Sequence, residues 1–237
     1  MTLMELFSCR LICQSSLKYG VIAGNESILS KEQRITRLAV RIPIVSPQKS
    51  QTLAIIGQGY VGLPLAMAAV DAGWTVIGVD NFEAKVAQIN SGSSPIEDIS
   101  NTQLAAAINK GAYKATTDFS SVAEASVITI CVPTPLDDKR EPDLTLLRSA
   151  VTGIAPFVSN ETLVVNESTS YPGTLRDIII PIVESLKPSV SETIYFASAP
   201  ERVNPGDMVW NQKNTPRLVG AIAVSYTHLT LPTKRIV

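Results

Sequence analysis

The feature that most constrains the fold is a group of three glycines, Gly57, Gly59 and Gly62, spaced as Gly-x-Gly-x-x-Gly. The motif follows the apolar segment Leu53–Ile56 and opens the helix-like segment Val61–Ala72. At this spacing the first glycine permits a tight turn, the second lets a phosphate approach the backbone, and the third allows a helix to pack closely on a strand. The pattern therefore predicts a strand, a turn and a helix whose N-terminus faces an anion.

A carboxylate follows at the position where such a site holds a ribose. The next predicted strand, Thr75–Val79, leads directly into Asp80. An acidic side chain there can hydrogen-bond both ribose hydroxyls and would repel a 2′-phosphate, so the sequence favours NAD over NADP. Lys85 has two open interpretations: it reaches a cofactor phosphate or ribose, or it is only solvated. The predicted cofactor-binding residues of this part of the chain are Gly57, Gln58, Gly59, Tyr60, Val61, Gly62, Asp80 and Lys85.

The pattern from Gln51 to about Ala223 predicts an α/β fold, a doubly wound and mostly parallel sheet of the Rossmann-like type. Val- and Ile-rich runs alternate there with amphipathic segments, as in a parallel sheet covered on both faces. Pro181 is expected to kink the last helix. The predicted strands are Leu53–Ile56, Thr75–Val79, Ala125–Cys131, Thr162–Asn166 and Thr193–Ala197, and the predicted helices are Val61–Ala72, Glu83–Asn90, Thr102–Asn109, Asp143–Phe157 and Thr174–Leu186.

Polar loops follow three of the later strands. Thr134 lies in Val132-Pro133-Thr134-Pro135, and the loops 166–174 (NESTSYPGT) and 199–207 (APERVNPGD) follow the next two strands. Open α/β sheets bind their ligands beyond the carboxyl ends of their strands. Because proline and glycine restrict or shape these loops, we expect them to hold polar side chains at the ligand-binding edge of the sheet.

Composition excludes several other classes of protein. The 45% apolar and 17% charged residues exclude a disordered chain. Residues 51–223 carry a net charge of −7, which disfavours a nucleic-acid partner. No apolar run approaches the roughly 20 residues of a membrane helix. Three cysteines argue against a disulfide framework, and a single histidine argues against a zinc site, so we expect a cytoplasmic protein without a metal.

The motifs together resemble the NAD-dependent nucleotide-sugar dehydrogenases of the UDP-glucose/GDP-mannose dehydrogenase family. The matching stretches are GQGYVGLPLA, CVPTPL with EPDL, NESTSYPGT and APERVNPGD, in the family's order over about 170 residues. They look most like members that act on UDP-N-acetylhexosamines. The resemblance implies two successive oxidations of the C6 alcohol of a UDP-sugar to the uronate, with NAD as hydride acceptor and a cysteine thiol as covalent nucleophile.

The resemblance also implies roles for individual residues. Thr134 would contact the cofactor beyond the pyrophosphate. Thr169 would lie near the nicotinamide, in both the cofactor-binding and the catalytic sets, and help to position a water. Glu201 would assist proton transfer or hydrolysis, and together with Arg202, Val203 and Asn204 it would line the substrate site.

One departure from the family pattern matters for activity. The family's nucleophilic cysteine lies in a downstream Gly-Gly-x-Cys-like motif, with a lysine, an asparagine and an aspartate, and none of these is present in the sequence. We therefore expect the amino-terminal part of a dehydrogenase, inactive as given; full-length members are homo-oligomeric, and the state of this part stays open. A stand-alone NAD-binding module is the alternative. A short-chain-type epimerase is disfavoured, because no tyrosine has a lysine four residues later.

The chain divides into three predicted zones. Residues 1–50 form an N-terminal extension of uncertain origin, and residues 51–223 form the dinucleotide-binding domain. Residues 224–237, VSYTHLTLPTKRIV, do not continue the α/β pattern. They resemble a translated sequencing adapter, so we expect a non-native tail; an ordinary C-terminal strand and loop is the alternative.

Overall fold

A computed structural model describes residues 51–187, 194–201 and 218–222. Seven strands and five α-helices occupy these residues. The strands are β1 (Thr52–Ile56), β2 (Thr75–Val79), β3 (Tyr113–Thr116), β4 (Val127–Ile130), β5 (Leu163–Asn166), β6 (Tyr195–Ser198) and β7 (Gly220–Ala221). The α-helices are α1 (Gly62–Asp71), α2 (Glu83–Asn90), α3 (Asn101–Asn109), α4 (Thr145–Ile154) and α5 (Ile180–Leu186).

The strands form one sheet in the order β3-β2-β1-β4-β5-β6-β7. The first six strands are parallel, and β7 pairs with β6 in the antiparallel direction. The order reverses between β1 and β4, because the chain returns to the middle of the sheet after β3. Such a reversal opens a crevice beyond the carboxyl ends of the two strands, which is where sheets of this type bind ligands.

Helices cover both faces of the sheet, so each central strand is buried on two sides. One apolar core lies under α1, α2 and α3 and includes Leu53 and Leu63. The other lies under α4 and α5 and includes Ile128 and Leu147. The predicted α/β class, a doubly wound and mostly parallel Rossmann-like sheet, is confirmed.

The sequence pattern did not predict two of the observed strands, β3 and β7. Strand β3, Tyr113–Thr116, has four residues and alternates buried with exposed positions, so it lacks the apolar run that marks the central strands. The two-residue strand β7 is defined only by its pairing with β6. Residue 193, the predicted start of the fifth strand, lies outside the described residues, and the observed strand is Tyr195–Ser198.

The predicted disturbance at Pro181 takes the form of a wide turn. Leu175–Ile179 is a π-helical turn that leads into α5. The amide of Ile180 donates to the carbonyl of Leu175, five residues earlier. Proline has no amide hydrogen and its ring crowds the carbonyl four residues before it, so a wider turn relieves that contact.

Candidate nucleotide-binding site

The glycine motif is held at the reversal point by backbone hydrogen bonds to both neighbouring strands. The amide of Gly57 donates to the carbonyl of Val79 over 2.7 Å, and the amide of Cys131 donates to the carbonyl of Ile56 over 2.8 Å. These bonds continue the strand pairing beyond the ends of β1, β2 and β4. The loops after all three strands therefore meet at one edge of the sheet.

Contacts within the protein require glycine at positions 57 and 62, but no contact requires it at position 59. Gly57 has a φ of +95°, and a β-carbon there would lie 2.6 Å from the carbonyl oxygen of Cys131. A β-carbon on Gly62 would overlap the carbonyl oxygen of Gly57. At Gly59 a β-carbon would meet no protein atom within 4 Å, and the φ is not in the left-handed region. The open space beside Gly59 fits a phosphate group that approaches the backbone, as the motif requires.

The N-terminus of α1 follows directly from the glycine loop, at Gly62. Within the described part of the chain, no side chain caps this helix at Val61, and its first turn holds no acidic residue. The positive end of the helix dipole at this terminus favours a bound anion. Tyr60, which precedes this turn, is 61% exposed.

The carboxylate of Asp80 is buried beside the glycine loop and accepts three hydrogen bonds. One oxygen, Oδ2, accepts from the amide of Gln58 over 2.9 Å and from Nζ of Lys85 over 2.8 Å. The other, Oδ1, accepts from the amide of Phe82 over 3.0 Å. The structure thus joins three predicted cofactor residues, with Lys85 in an ion pair with Asp80, an arrangement that neither sequence-based interpretation of the lysine included.

A buried network of hydrogen bonds supports the glycine loop. The sequence did not predict most of these bonds. The hydroxyl of Tyr113 donates to Oε1 of Gln58 over 2.7 Å, and Nε2 of Gln58 donates to the carbonyl of Ile55 over 2.8 Å. A β-carbon on Gly78 would lie 2.5 Å from the Tyr113 hydroxyl, so the glycine makes room for this contact. Burial, and secondarily the negative charge of Asp80, raises the pKa of Tyr113 far above its usual value. This contact could have been predicted only if Tyr113–Thr116 had been recognised as a strand beside β2.

Hydroxyl groups connect the loops after β4 and β5. Oγ1 of Thr134 donates to the carbonyl of Thr169 over 2.5 Å, and Oγ of Ser168 donates to the carbonyl of Val132 over 2.8 Å. The side chain of Thr134 is half-buried and that of Thr169 is exposed. The structure therefore brings together Thr134, which the resemblance implies to contact the cofactor beyond the pyrophosphate, and Thr169, which it implies to lie near the nicotinamide.

The loop after β5 is also held from inside. The buried side chain of Asn166 donates through Nδ2 to the carbonyl of Ser168 and to Oγ of Ser170, each over 3.2 Å. The amide of Glu201 donates to the carbonyl of Glu167 over 3.3 Å, which brings the loop after β6 to the same edge. The predicted substrate residues Arg202, Val203 and Asn204 lie outside the described residues.

Within residues 51–187, 194–201 and 218–222, none of the helices has the length and apolar character that crossing a membrane requires. No group of three or more histidine, cysteine or acidic side chains there is arranged to hold a metal ion.

Comparison with known proteins places this geometry in a family. Residues 51–228 match the NAD binding domain of the UDP-glucose/GDP-mannose dehydrogenase family. The chain is similar to the UDP-N-acetyl-D-mannosamine dehydrogenase of Methanocaldococcus jannaschii, with 37% identity over 72% of the chain and 39% of that protein. It is also similar to the UDP-N-acetyl-D-glucosamine 6-dehydrogenase of Pseudomonas aeruginosa, with 33% identity over 67% of the chain and 37% of that protein.

Solved structures agree. The UDP-D-ManNAc dehydrogenase of Pyrococcus horikoshii superposes with a TM-score of 0.66 at 32% identity, over 75% of this chain and 43% of that one. The chain thus spans about two fifths of the length of the proteins it matches. The family match covers more than half of the chain, and the sheet order, the glycine motif and the buried acid after β2 accord with it. The chain belongs to the UDP-glucose/GDP-mannose dehydrogenase family, and residues 51–228 match the family's NAD-binding domain.

Proposed function

We propose that this chain supplies the NAD-binding part of a dehydrogenase that oxidises the C6 alcohol of a UDP-sugar, a UDP-N-acetylhexosamine, to the uronate. The observation that carries the proposal is the open space at Gly59, between two glycines that the fold itself requires. The relatives named for UDP-N-acetyl-D-mannosamine and UDP-N-acetyl-D-glucosamine support the choice of sugar. The sequence given holds no counterpart of the family's Gly-Gly-x-Cys-like motif, so we expect catalysis to need residues that it does not contain.

Each part of the site has a task in this proposal. The loop Gly57–Gly62 and the first turn of α1 would hold the pyrophosphate, and Asp80 would accept hydrogen bonds from the adenosine ribose. Bound NAD would supply the hydride acceptor. Thr134 and Thr169 would position the nicotinamide half, since their mutual hydrogen bond fixes both loops. Glu201 would line the sugar site from the loop after β6.

Replacement of Gly59 tests the cofactor site. An alanine methyl at Gly59 would enter the pyrophosphate space without touching the protein. Accommodation of an extra methyl costs about 1–3 kcal/mol, so we expect NAD affinity to fall roughly tenfold to hundredfold. The measurement is isothermal titration of the full 237-residue chain with NAD.

Gly220→Ala is the matched control, because that β-carbon also meets no atom within 4 Å and the residue lies in β7, at the far edge of the sheet. Equal NAD affinity of Gly59→Ala, Gly220→Ala and wild type would contradict the proposed site. An undetectable affinity of the wild type would contradict it as well.

A second experiment addresses the reaction. We expect no UDP-sugar-dependent formation of NADH by this chain alone, with either UDP-N-acetylglucosamine or UDP-N-acetylmannosamine. Sequencing of the source DNA beyond codon 223 then distinguishes the two candidate functions. A continuing frame with the family's cysteine motif supports the dehydrogenase, and a genuine stop codon after codon 237 supports a stand-alone NAD-binding module.

A further inference from the structure

The ion pair at the ribose position combines two opposite charges that act differently on a phosphorylated ribose. The carboxylate of Asp80 is buried, with 5% of its side chain exposed, whereas 29% of the Lys85 side chain is exposed. Their contact atoms are 2.8 Å apart. The ammonium therefore lies at the outer side of the carboxylate that would accept the ribose hydroxyls.

The buried partner is fixed by the backbone, and the exposed partner is not. Asp80 is held by the amides of Gln58 and Phe82 in addition to Lys85. Lys85 is in the first turn of α2, and its side chain reaches Asp80 through flexible methylenes. A lysine ammonium forms a mobile point charge with three donors, and it is a common ligand of phosphate.

These charges have predictable effects on a 2′-phosphate. A lone buried carboxylate would strongly repel it, but Lys85 offsets part of that charge at close range. If the carboxylate were removed, the ammonium would be left beside the 2′ position. Glu83, an exposed acid in the same turn of α2, adds negative charge and acts in the direction of Asp80.

We propose that Lys85 is a specificity-determining residue for the coenzyme: it weakens the discrimination of Asp80 against a 2′-phosphate and binds that phosphate once the carboxylate is removed. This inference rests on the proposed function, because it requires the adenosine ribose to lie at Asp80. It differs from a purely structural role, in which Lys85 would only orient Asp80 and would change the affinity for both coenzymes by the same factor.

Two probes that differ by a single phosphate isolate the effect: 5′-AMP and adenosine 2′,5′-bisphosphate. Isothermal titrations of the full chain would compare wild type, Lys85→Met, Lys85→Arg, Asp80→Asn and Asp80→Asn/Lys85→Met. One charge-assisted hydrogen bond corresponds to roughly tenfold in affinity. We expect Asp80→Asn to improve binding of the bisphosphate by about that factor, and the added Lys85→Met to abolish the gain.

In the wild-type background, Lys85→Met should raise the ratio of the two dissociation constants, bisphosphate over 5′-AMP, several-fold, and Lys85→Arg should leave it near wild type. These two variants do not depend on the folding of Asp80→Asn. An unchanged ratio in Lys85→Met, or a gain that persists in the double variant, would overturn the inference. If Lys85→Met gave either of those results, the proposed function would still stand, provided that the wild-type chain binds 5′-AMP and NAD and that Gly59→Ala weakens NAD binding. Failure of wild type to bind any of these nucleotides would overturn both.

Discussion

The two halves of the candidate site are built in different ways. Around β1 and β2 the glycine loop rests on a buried network of Gln58, Tyr113 and Asp80, and close contacts require two of its glycines, Gly57 and Gly62. Around β4 and β5 the loops are joined near the surface by the hydroxyl of Thr134 and the carbonyl of Thr169. The difference suggests that the adenosine half is set by packing during folding, whereas the nicotinamide half is set by local hydrogen bonds that water can replace.

Gly62→Ala should have the largest effect on stability. Its β-carbon would overlap the carbonyl of Gly57 and also contact the side chain of Ile55, so α1 must move away from β1. We expect a loss of at least about 3 kcal/mol in the free energy of unfolding, measured by urea denaturation. Gly59→Ala, in the loop just before α1, is the control and should change stability by less than about 0.5 kcal/mol. Similar losses in both variants would mean that the loop is not set by packing.

Alkaline pH should destabilise the network through Tyr113. Its pKa in the folded chain is raised above the usual value of 10.0, so the unfolded chain loses this proton first as pH rises. The stabilising contribution is complete below about pH 10, and above it the free energy of unfolding should fall by about 1.4 kcal/mol per pH unit from this group. Urea denaturation at a series of pH values on both sides of pH 10 measures the slope of the free energy of unfolding. Tyr113→Phe should show a smaller slope, and equal slopes would contradict the assignment.

At neutral pH, Tyr113→Phe should have an intermediate effect. The substitution removes the donor to Oε1 of the buried Gln58 and leaves that oxygen without its partner. The expected loss is about 1–2 kcal/mol of stability, accompanied by weaker NAD binding because Gln58 supports the glycine loop. Tyr195→Phe provides a control, since Tyr195 belongs to β6, toward the other end of the strand order from β3. Unchanged stability and NAD affinity would argue that the network does not support the site.

Thr134→Val should have the smallest global effect. It removes the hydroxyl donor to Thr169, but this bond lies near the surface and water can replace it. We expect less than about 0.5 kcal/mol of lost stability and faster amide hydrogen exchange confined to residues 167–171. Thr134→Ser retains the hydroxyl and should exchange like wild type. A loss above about 2 kcal/mol would show that this half is also set by packing.

The sequence was informative wherever a local pattern has a single structural solution. The glycine spacing and the apolar runs predicted β1, α1 and β2 to within one residue at each boundary. The family resemblance and the NAD-binding assignment are confirmed by the match over residues 51–228. The roles of individual site residues stay predictions, including those of Arg202, Val203 and Asn204, which lie outside the described residues.

The pattern failed where structure depends on a distant partner. Strand β3 exists because Tyr113–Thr116 pairs with β2, and its short half-polar sequence has no signal of its own. The same strand delivers Tyr113 to Gln58, which is 55 residues away in the chain. Nothing local in either segment indicates the other, so the sequence pattern does not predict this contact.

By itself the sequence determined the class of fold, the position of the glycine turn and the acid that follows β2. These features follow from backbone sterics and from the period of apolar residues, which are local properties. Only the tertiary structure decided that Lys85 pairs with Asp80, that Tyr113 supports Gln58 and that Thr134 meets Thr169. The first contact depends on how α2 follows the carboxyl end of β2, and the second depends on the pairing of β3 with β2, which brings Tyr113 near a residue 55 positions away in the chain. The third arises because parallel strands bring their carboxyl ends to one edge, where distant loops become neighbours.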